Sequence, residues 1–240
     1  MPRASVGGTK WDIQRTVKWR RSCLDDWSRL RYAACMTTPA LEKDTRAAIL
    51  STGQAIMRLK GFSAVGLTEI LSAAGVPKGS FYHYFASKDA FGEAMLATYF
   101  EDYLGEIDAL FAKPGLTAAE RLMVYFTSWY EAQGAFECQG RCLAVKLGAE
   151  VSDLSEPMRL ALKSGTCGVI SRLRSQIEAG IADGSLQMTE AAGDIAAALY
   201  HQWLGASVMV KILRTQDPLD AALVATRRML GIATLSRTDA

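Results

Sequence analysis

The run Pro77-Lys78-Gly79-Ser80-Phe81-Tyr82-His83-Tyr84-Phe85 holds the residues of this sequence best suited to chemistry on a polyanion. If it is helical, with Phe81 and Phe85 turned inward, then Lys78, Gly79, Tyr82 and His83 share the outer side and Ser80 borders them. Lysine supplies a charge for phosphate or guanine, and glycine lets the backbone approach a groove closely. Tyrosine, histidine and serine supply neutral donors to phosphate oxygens. Thr68 and Ser87 are competent N-caps, so two further helix starts can offer free N–H groups to phosphates, and Lys88 adds a charge. The partner this pattern implies is double-stranded DNA.

A second constellation lies further along the chain. Cys142 sits beside Arg141, one turn before Lys146 and near an expected helix start. Cations and a helix N-terminus both favour thiolate, so the spacing predicts a pKa below the free value of about 8.5. Lys211 is the only charge between Asp194 and Arg214. It either reaches the surface along its stem or faces a cavity, where it would become partly neutral and nucleophilic. Together Cys142 and Lys211 can answer an electrophile or oxidant covalently. Trp129, Tyr130 and Trp203 can line a pocket for an apolar effector or simply pack the core. The plain alternative for Cys142 is a small core residue.

Other chemistry is poorly supported. Cys138 precedes Cys142 by four residues, and a metal site with Cys167 or His201 would need most of what the chain offers. It has only two histidines, and His83 is on the outer side described above, so neither metal nor cofactor is expected. The acids Glu101, Asp102, Glu106 and Asp108 read as a solvated face. No phosphate-binding glycine loop or nucleophile elbow is present. An enzyme is therefore not expected, and the rival reading of that kind is a thiol-dependent helical enzyme whose first helices only pack.

The elements that must position these residues are helical almost throughout. The chain has 240 residues, half of them apolar, ample for a core. Five scattered cysteines fit reduced thiols in a cytoplasmic protein better than a disulfide framework. No apolar h-region follows Arg15, Lys18, Arg20 and Arg21, and Ile195 to Val210 falls short of the roughly 20 residues a bilayer helix needs. A soluble chain without a membrane partner is expected. Residues 1–35 carry eight Lys/Arg against three acids, whereas 91–240 carry thirteen against eighteen, which separates a basic end from an acidic body.

From Leu41 the apolar period is that of an α-helix, with Glu42 four residues before Arg46. Ile49, Gly53, Ile56 and Leu59 mark one face of a first helix that ends at Gly61. A short second helix starts at Thr68, buries Ile70, Leu71 and Ala74, and stops at Gly75. A third begins at Pro77, and Ser87 caps a long fourth running towards Phe111. Further helices are expected over about 117–133, 141–151, 155–182, 189–215 and 218–234, with Ser155 capping the third of these. No segment alternates as a strand. The fold class is all-α: a basic extension over 1–40, a three-helix helix-turn-helix domain over 41–90, and a larger helical domain over 91–235.

The stretch from Thr45 to Leu96 resembles the DNA-binding domain of TetR/AcrR-type transcriptional repressors. The residues that carry the likeness are Gly61-Phe62, Leu67-Thr68-Glu69-Ile70-Leu71, Ala74-Gly75-Val76 and the run Lys78 to Lys88. The resemblance implies that the first three helices bind an operator major groove, with Thr68, Lys78, Tyr82, His83 and Lys88 at contact positions. It implies a ligand-sensing body whose last two helices pair with those of a second copy in a four-helix bundle. It leaves residues 1–35 without a counterpart, so Met36 is the expected start.

Across most of the chain the sequence is similar to the NemR-like and AcuR-like branch of that family, through Arg141-Cys142-Leu143, Leu154-Ser155-Glu156, Trp203-Leu204-Gly205-Ala206, and Lys211 with Asp217-Pro218-Leu219. By position this makes Cys142 and Lys211 a sensing pair for a reactive electrophile or oxidant, or an acrylate-like compound. Arg141 departs from the glycine usual there. The last two helices suit dimerisation on their own terms: Ala196, Ala197, Ala198, Gly205, Ala206 and Ser207 permit close approach, while Leu199, Trp203, Val210 and Leu213 supply bulk. Met229, Leu230 and Ile232 continue that apolar surface. Two-fold pairing predicts an approximately palindromic operator with half-sites about 34–36 Å apart, or a multiple. The expected function is a homodimeric repressor released by an effector near Cys142. The alternative is a regulator with a non-covalent ligand and a structural Cys142.

Overall fold

A computed structural model describes residues 45–134 and 142–232. The basic extension with Met36, Glu42 of the expected Glu42–Arg46 pair, Cys23, Cys35, Cys138 and Arg141, and the end expected for the last helix at 234 lie outside the described residues. Among those described, helices account for all regular structure: α1 Thr45–Lys60, α2 Leu67–Ala74, α3 Lys78–Tyr84, α4 Lys88–Phe111, α5 Ala118–Gly134, α6 Leu143–Leu154, α7 Glu156–Ala182, α8 Ala192–Leu213 and α9 Asp217–Met229. No helix among them is long and apolar enough to cross a membrane.

Two apolar cores organise the packing. The first joins Ile49, Met57, Ile70, Phe81 and Phe91 to Leu143, Leu147 and Val151 of α6 and to Met158 of α7. The second lies among α5, the C-terminal half of α7, α8 and α9, with Phe126, Trp129, Leu173, Tyr200 and Trp203 at its centre. The small first helices therefore do not close a core by themselves. They share one with α6, and this matters for the site described below.

Helices approach most closely where glycine replaces a side chain. A β-carbon on Gly53 of α1 would lie 2.3 Å from Phe91 Cζ, and one on Gly92 of α4 would lie 2.3 Å from Met158 Sδ. On α7, Gly165 would bring a β-carbon within 2.0 Å of the Phe100 ring. These contacts set how α1, α4 and α7 cross.

Several local expectations change. The buried face of α1 is Ile49, Leu50, Gly53 and Met57, and Leu59 points outward, exposed. Thr68 is not the N-cap of α2. Gly66 takes that place without a side-chain cap, because the apolar stripe Leu67, Ile70, Leu71 starts one residue earlier and pulls Leu67 into the first turn against the core. Gly75 does end α2 in the left-handed region at φ 67°, and Ser87 Oγ does cap α4 by accepting from Ala90 N at 3.0 Å. Ser155 occupies the N-cap of α7, but its hydroxyl makes no capping bond and is buried.

Candidate functional site

On α3 the division expected from spacing is present. Phe81 and Phe85 are buried, with ring centroids 5.2 Å apart, and both pack on Phe91. That anchorage leaves Lys78, Gly79, Tyr82 and His83 exposed and Ser80 half-buried. Tyr82 is 54% exposed although it is aromatic, and its ring meets the core only edge-on at Phe81, 5.4 Å between centroids. A β-carbon on Gly79 would meet nothing within 4 Å. No packing among the described residues requires glycine there, which fits a surface that a groove approaches closely. Thr68 stands exposed in the first turn of α2. The turn between α2 and α3 is held by Val76 N donating to Leu71 O at 3.0 Å. The outcome is a helix-turn-helix head whose α3 face is exposed among the described residues.

Lys88 sits apart from that face. Its ammonium donates to Phe62 O at 2.8 Å and lies 4.4 Å from the centroid of the Phe62 ring. Burial lowers its pKa, against the opposing charges of Glu150 and Asp89. Glu150, near the end of α6, grips the same loop from the other side. Its carboxylate accepts from Phe62 N at 3.1 Å and from Ser63 N at 2.7 Å. Desolvation pushes the Glu150 pKa up, but the hydrogen bonds from Ser63 and Phe62 and the charge of Lys146 outweigh it, so the pKa ends below its ordinary value.

Gly61 makes room for this arrangement. It adopts φ 91°, and a β-carbon there would lie 2.9 Å from Glu150 Oε2. Gly61→Ala should therefore lower stability by about 1–2 kcal/mol through the left-handed backbone alone, with displacement of Glu150 added to it. Denaturant midpoints checked at constant m-value will measure this.

The sensor residues meet at the other end of α6. Cys142 is the N-cap of that helix, as a free thiol, half-buried. The expected low pKa is reversed: burial raises it, and this outweighs hydrogen bonds from Val145 N, the Tyr99 hydroxyl and Ala144 N, and the charge of Lys211. The helix-terminus stabilisation foreseen from the sequence is present in those backbone donors, but desolvation dominates. The charge of Lys146 acts on Glu150 and on Lys211. Lys211 is exposed in the last turn of α8. Desolvation and the charge of Lys146 lower its pKa, while Cys142 acts the other way.

The spacing rules did not pick out the tyrosines around the thiol. Tyr99 bonds it, and the Tyr103 and Tyr125 hydroxyls, 2.9 Å from each other, and Tyr200 all lie within its electrostatic reach. Burial raises the pKa of all four phenols. Tyr99 and Tyr103 are four residues apart in α4 and stack at 5.9 Å, a pairing that the i,i+4 rule could have found. Trp129 and Trp203 are core residues here. Trp129 Nε1 donates to Ser207 Oγ at 3.0 Å, and Trp203 Nε1 donates to Thr226 Oγ1 at 2.8 Å, so both indole donors are satisfied within the chain.

On α8, Leu199, Trp203 and Val210 are buried among α5, α7 and α9 and cannot be bulk for a second subunit, and Leu230 is buried likewise. Leu213, expected in that role, is exposed, and Val208, Met209 and Ile212, with Val224 on α9, make up the rest of the outward apolar face.

Comparison with known proteins agrees with this architecture. A family model described as "Bacterial regulatory proteins, tetR family" matches residues 49–95, and "Tetracyclin repressor-like, C-terminal domain" matches residues 118–226. The chain is 39% identical over 189 residues to the HTH-type transcriptional repressor NemR of Escherichia coli, covering 79% of this chain and 95% of that protein. It is 34% identical over 161 residues to the transcriptional regulator AcuR of Cereibacter sphaeroides, covering 67% of this chain and 73% of that one. The crystal structure of reduced E. coli NemR superposes with a TM-score of 0.75 at 38% identity, covering 80% of this chain and all of that one. The chain belongs to the TetR family and is a DNA-binding transcriptional repressor of that type, not an enzyme.

Proposed function

We propose that two copies of the chain, paired through α8 and α9, present two α3 helices to an approximately palindromic operator in the cytoplasm. In this reading, electrophilic modification of Cys142 releases the repressor. The observation that carries the DNA half is the α3 face: Phe81 and Phe85 fasten the helix inward while Lys78, Gly79, Tyr82 and His83 stay exposed along one side. Thr68 is exposed in the first turn of α2, Ser80 is half-buried on α3, and Lys88 donates to Phe62 O in the loop that Glu150 also holds. The pairing is supported by the outward apolar residues on α8 and α9, of which Ile212 is 65% exposed.

The sensing half rests on Cys142 at a helix N-terminus with Lys211 in electrostatic range. An α,β-unsaturated carbonyl, the class to which acrylate belongs, is the fitting effector. The sulfur forms a bond to the β-carbon, the C=C π pair shifts towards the carbonyl, and the α-carbon then takes up a proton. Because burial raises the thiol pKa, a base must assist, and Lys211 is the cation in electrostatic range that favours the thiolate once the proton has left. The raised thiol pKa also favours a second reading, in which Cys142 is structural and the body binds a non-covalent ligand.

The purified full chain, the DNA immediately upstream of its own gene, and acrolein as probe separate these readings. Acrolein should weaken operator binding about a hundredfold in the wild type, roughly 2.7 kcal/mol between states, and less than about threefold in Cys142→Ser. Equal release of both proteins would leave only the non-covalent reading.

A further inference from the structure

The residue pair at the two ends of α6 suggests how the sensor reaches the head. Helix α6 is only 12 residues long, with Cys142 capping its start and Glu150 in its last two turns. Eight residues of α-helix separate them, about 12 Å along a rigid axis. Its buried side, Leu143, Leu147 and Val151, lies in the same apolar core as Phe62, Ile70 and Phe81 of the head. The carboxylate of Glu150 is then the polar end of a rod that begins at the thiol.

We propose that Glu150 is the positioning residue of the DNA-reading head. Its carboxylate holds the 61–63 loop by two backbone N–H groups, and a change of state at Cys142 loosens that grip. The proposal rests on the Cys142 reading above only for the signal that starts the movement.

Three features make the contact more than ordinary surface packing. A carboxylate accepting two adjacent backbone N–H donors, Phe62 and Ser63, fixes both position and orientation of the loop. The Phe62 carbonyl between them is held from the opposite side by Lys88, whose ammonium also lies over the Phe62 ring. Lys88 is the first residue of α4, which makes the loop a junction of α1, α4 and α6. Finally, Gly61 leaves just enough room for Glu150 Oε2. The loop leads directly into α2, which the Lys60–Glu69 ion pair at 2.5 Å ties back to the end of α1. Displacing the loop displaces the support of α2 and α3.

Backbone amide exchange at Phe62 and Ser63 reads the grip directly, without DNA. In the full-length wild type, acrolein adduction confirmed at Cys142 by mass spectrometry should speed exchange of both amides about tenfold or more, the scale of losing a charge-assisted hydrogen bond. In Glu150→Gln, with helicity confirmed by circular dichroism, the amide left facing the carboxamide NH2 should already exchange fast and adduction should change that amide little. Cys142→Glu, which places bulk and charge at the cap without any electrophile, should act like the adduct in the wild type and add nothing to Glu150→Gln.

Unchanged amides in both the adduct and Cys142→Glu overturn the proposal, as do additive effects of the two substitutions. Failure of acrolein to release DNA, while Cys142→Glu still frees the two amides, would instead sink the electrophile reading and leave the role of Glu150 standing.

Discussion

Replacing Lys78 and Tyr82 together by alanine should cost about a thousandfold or more in operator affinity and leave the melting temperature nearly unchanged. The two halves of that expectation come from different observations. Phe81 and Phe85, not Lys78 or Tyr82, secure α3 to the core, and both substituted residues are exposed, so the fold loses little. Each lost contact to a base edge or phosphate is worth about 1–3 kcal/mol, and a symmetric dimer loses it twice. Lysine and tyrosine should also separate by salt. Losing one phosphate-bound lysine per head flattens the dependence of log K on log salt by about 2 for the dimer, whereas losing a tyrosine hydroxyl lowers affinity at every salt concentration alike. Fluorescence anisotropy from low to high salt on the single and double variants measures both. If the double variant binds as tightly as the wild type, α3 is not the reading helix.

The parts of this molecule that could be read from sequence are those governed by local rules. Gly75 and Ser87 mark helix ends because a left-handed backbone and an N-cap hydroxyl are properties of one residue and its near neighbours. The inward turn of Phe81 and Phe85 follows from their four-residue spacing. Thr68 shows where such a rule loses: a good capping residue yielded to the demand of Leu67 for the core. The sensor was harder to read for a physical reason. The sequence shows charges beside Cys142, but the direction of its pKa depends on burial among Tyr99, Tyr103, Tyr125 and Tyr200, which come from α4, α5 and α8. Glu150 was invisible in the same way, since its partners, Phe62 and Ser63, lie 88 and 87 residues away. Trp203 and Val210 show the converse error, because apolar bulk on a helix does not reveal whether its own subunit or another buries it.

Gly165→Ala should destabilise the chain by about 2 kcal/mol, although alanine is the better helix former. In an exposed helix interior this exchange gains up to about 1 kcal/mol. Gly165 is different because α4 and α7 cross at this point: an added β-carbon would lie 2.0 to 2.3 Å from three carbons of the Phe100 ring. The ring cannot easily withdraw, since Phe100 is buried and packs edge-on against Tyr99 at 5.0 Å, and Tyr99 bonds Cys142. The helices must separate or the ring must leave its rotamer, and either disturbs the surroundings of the thiol. For a domain of this size the loss corresponds to roughly 4–8 °C in melting temperature, provided protomer concentration is held constant. Phe100→Leu in the same chain should recover part of it, because a smaller side chain opposite the new methyl relieves the overlap, and the two changes should be strongly non-additive. A Gly165→Ala protein that melts at or above the wild-type temperature would mean that α4 and α7 lie further apart than this, and the tyrosines of α4 would then not reach Cys142 as described.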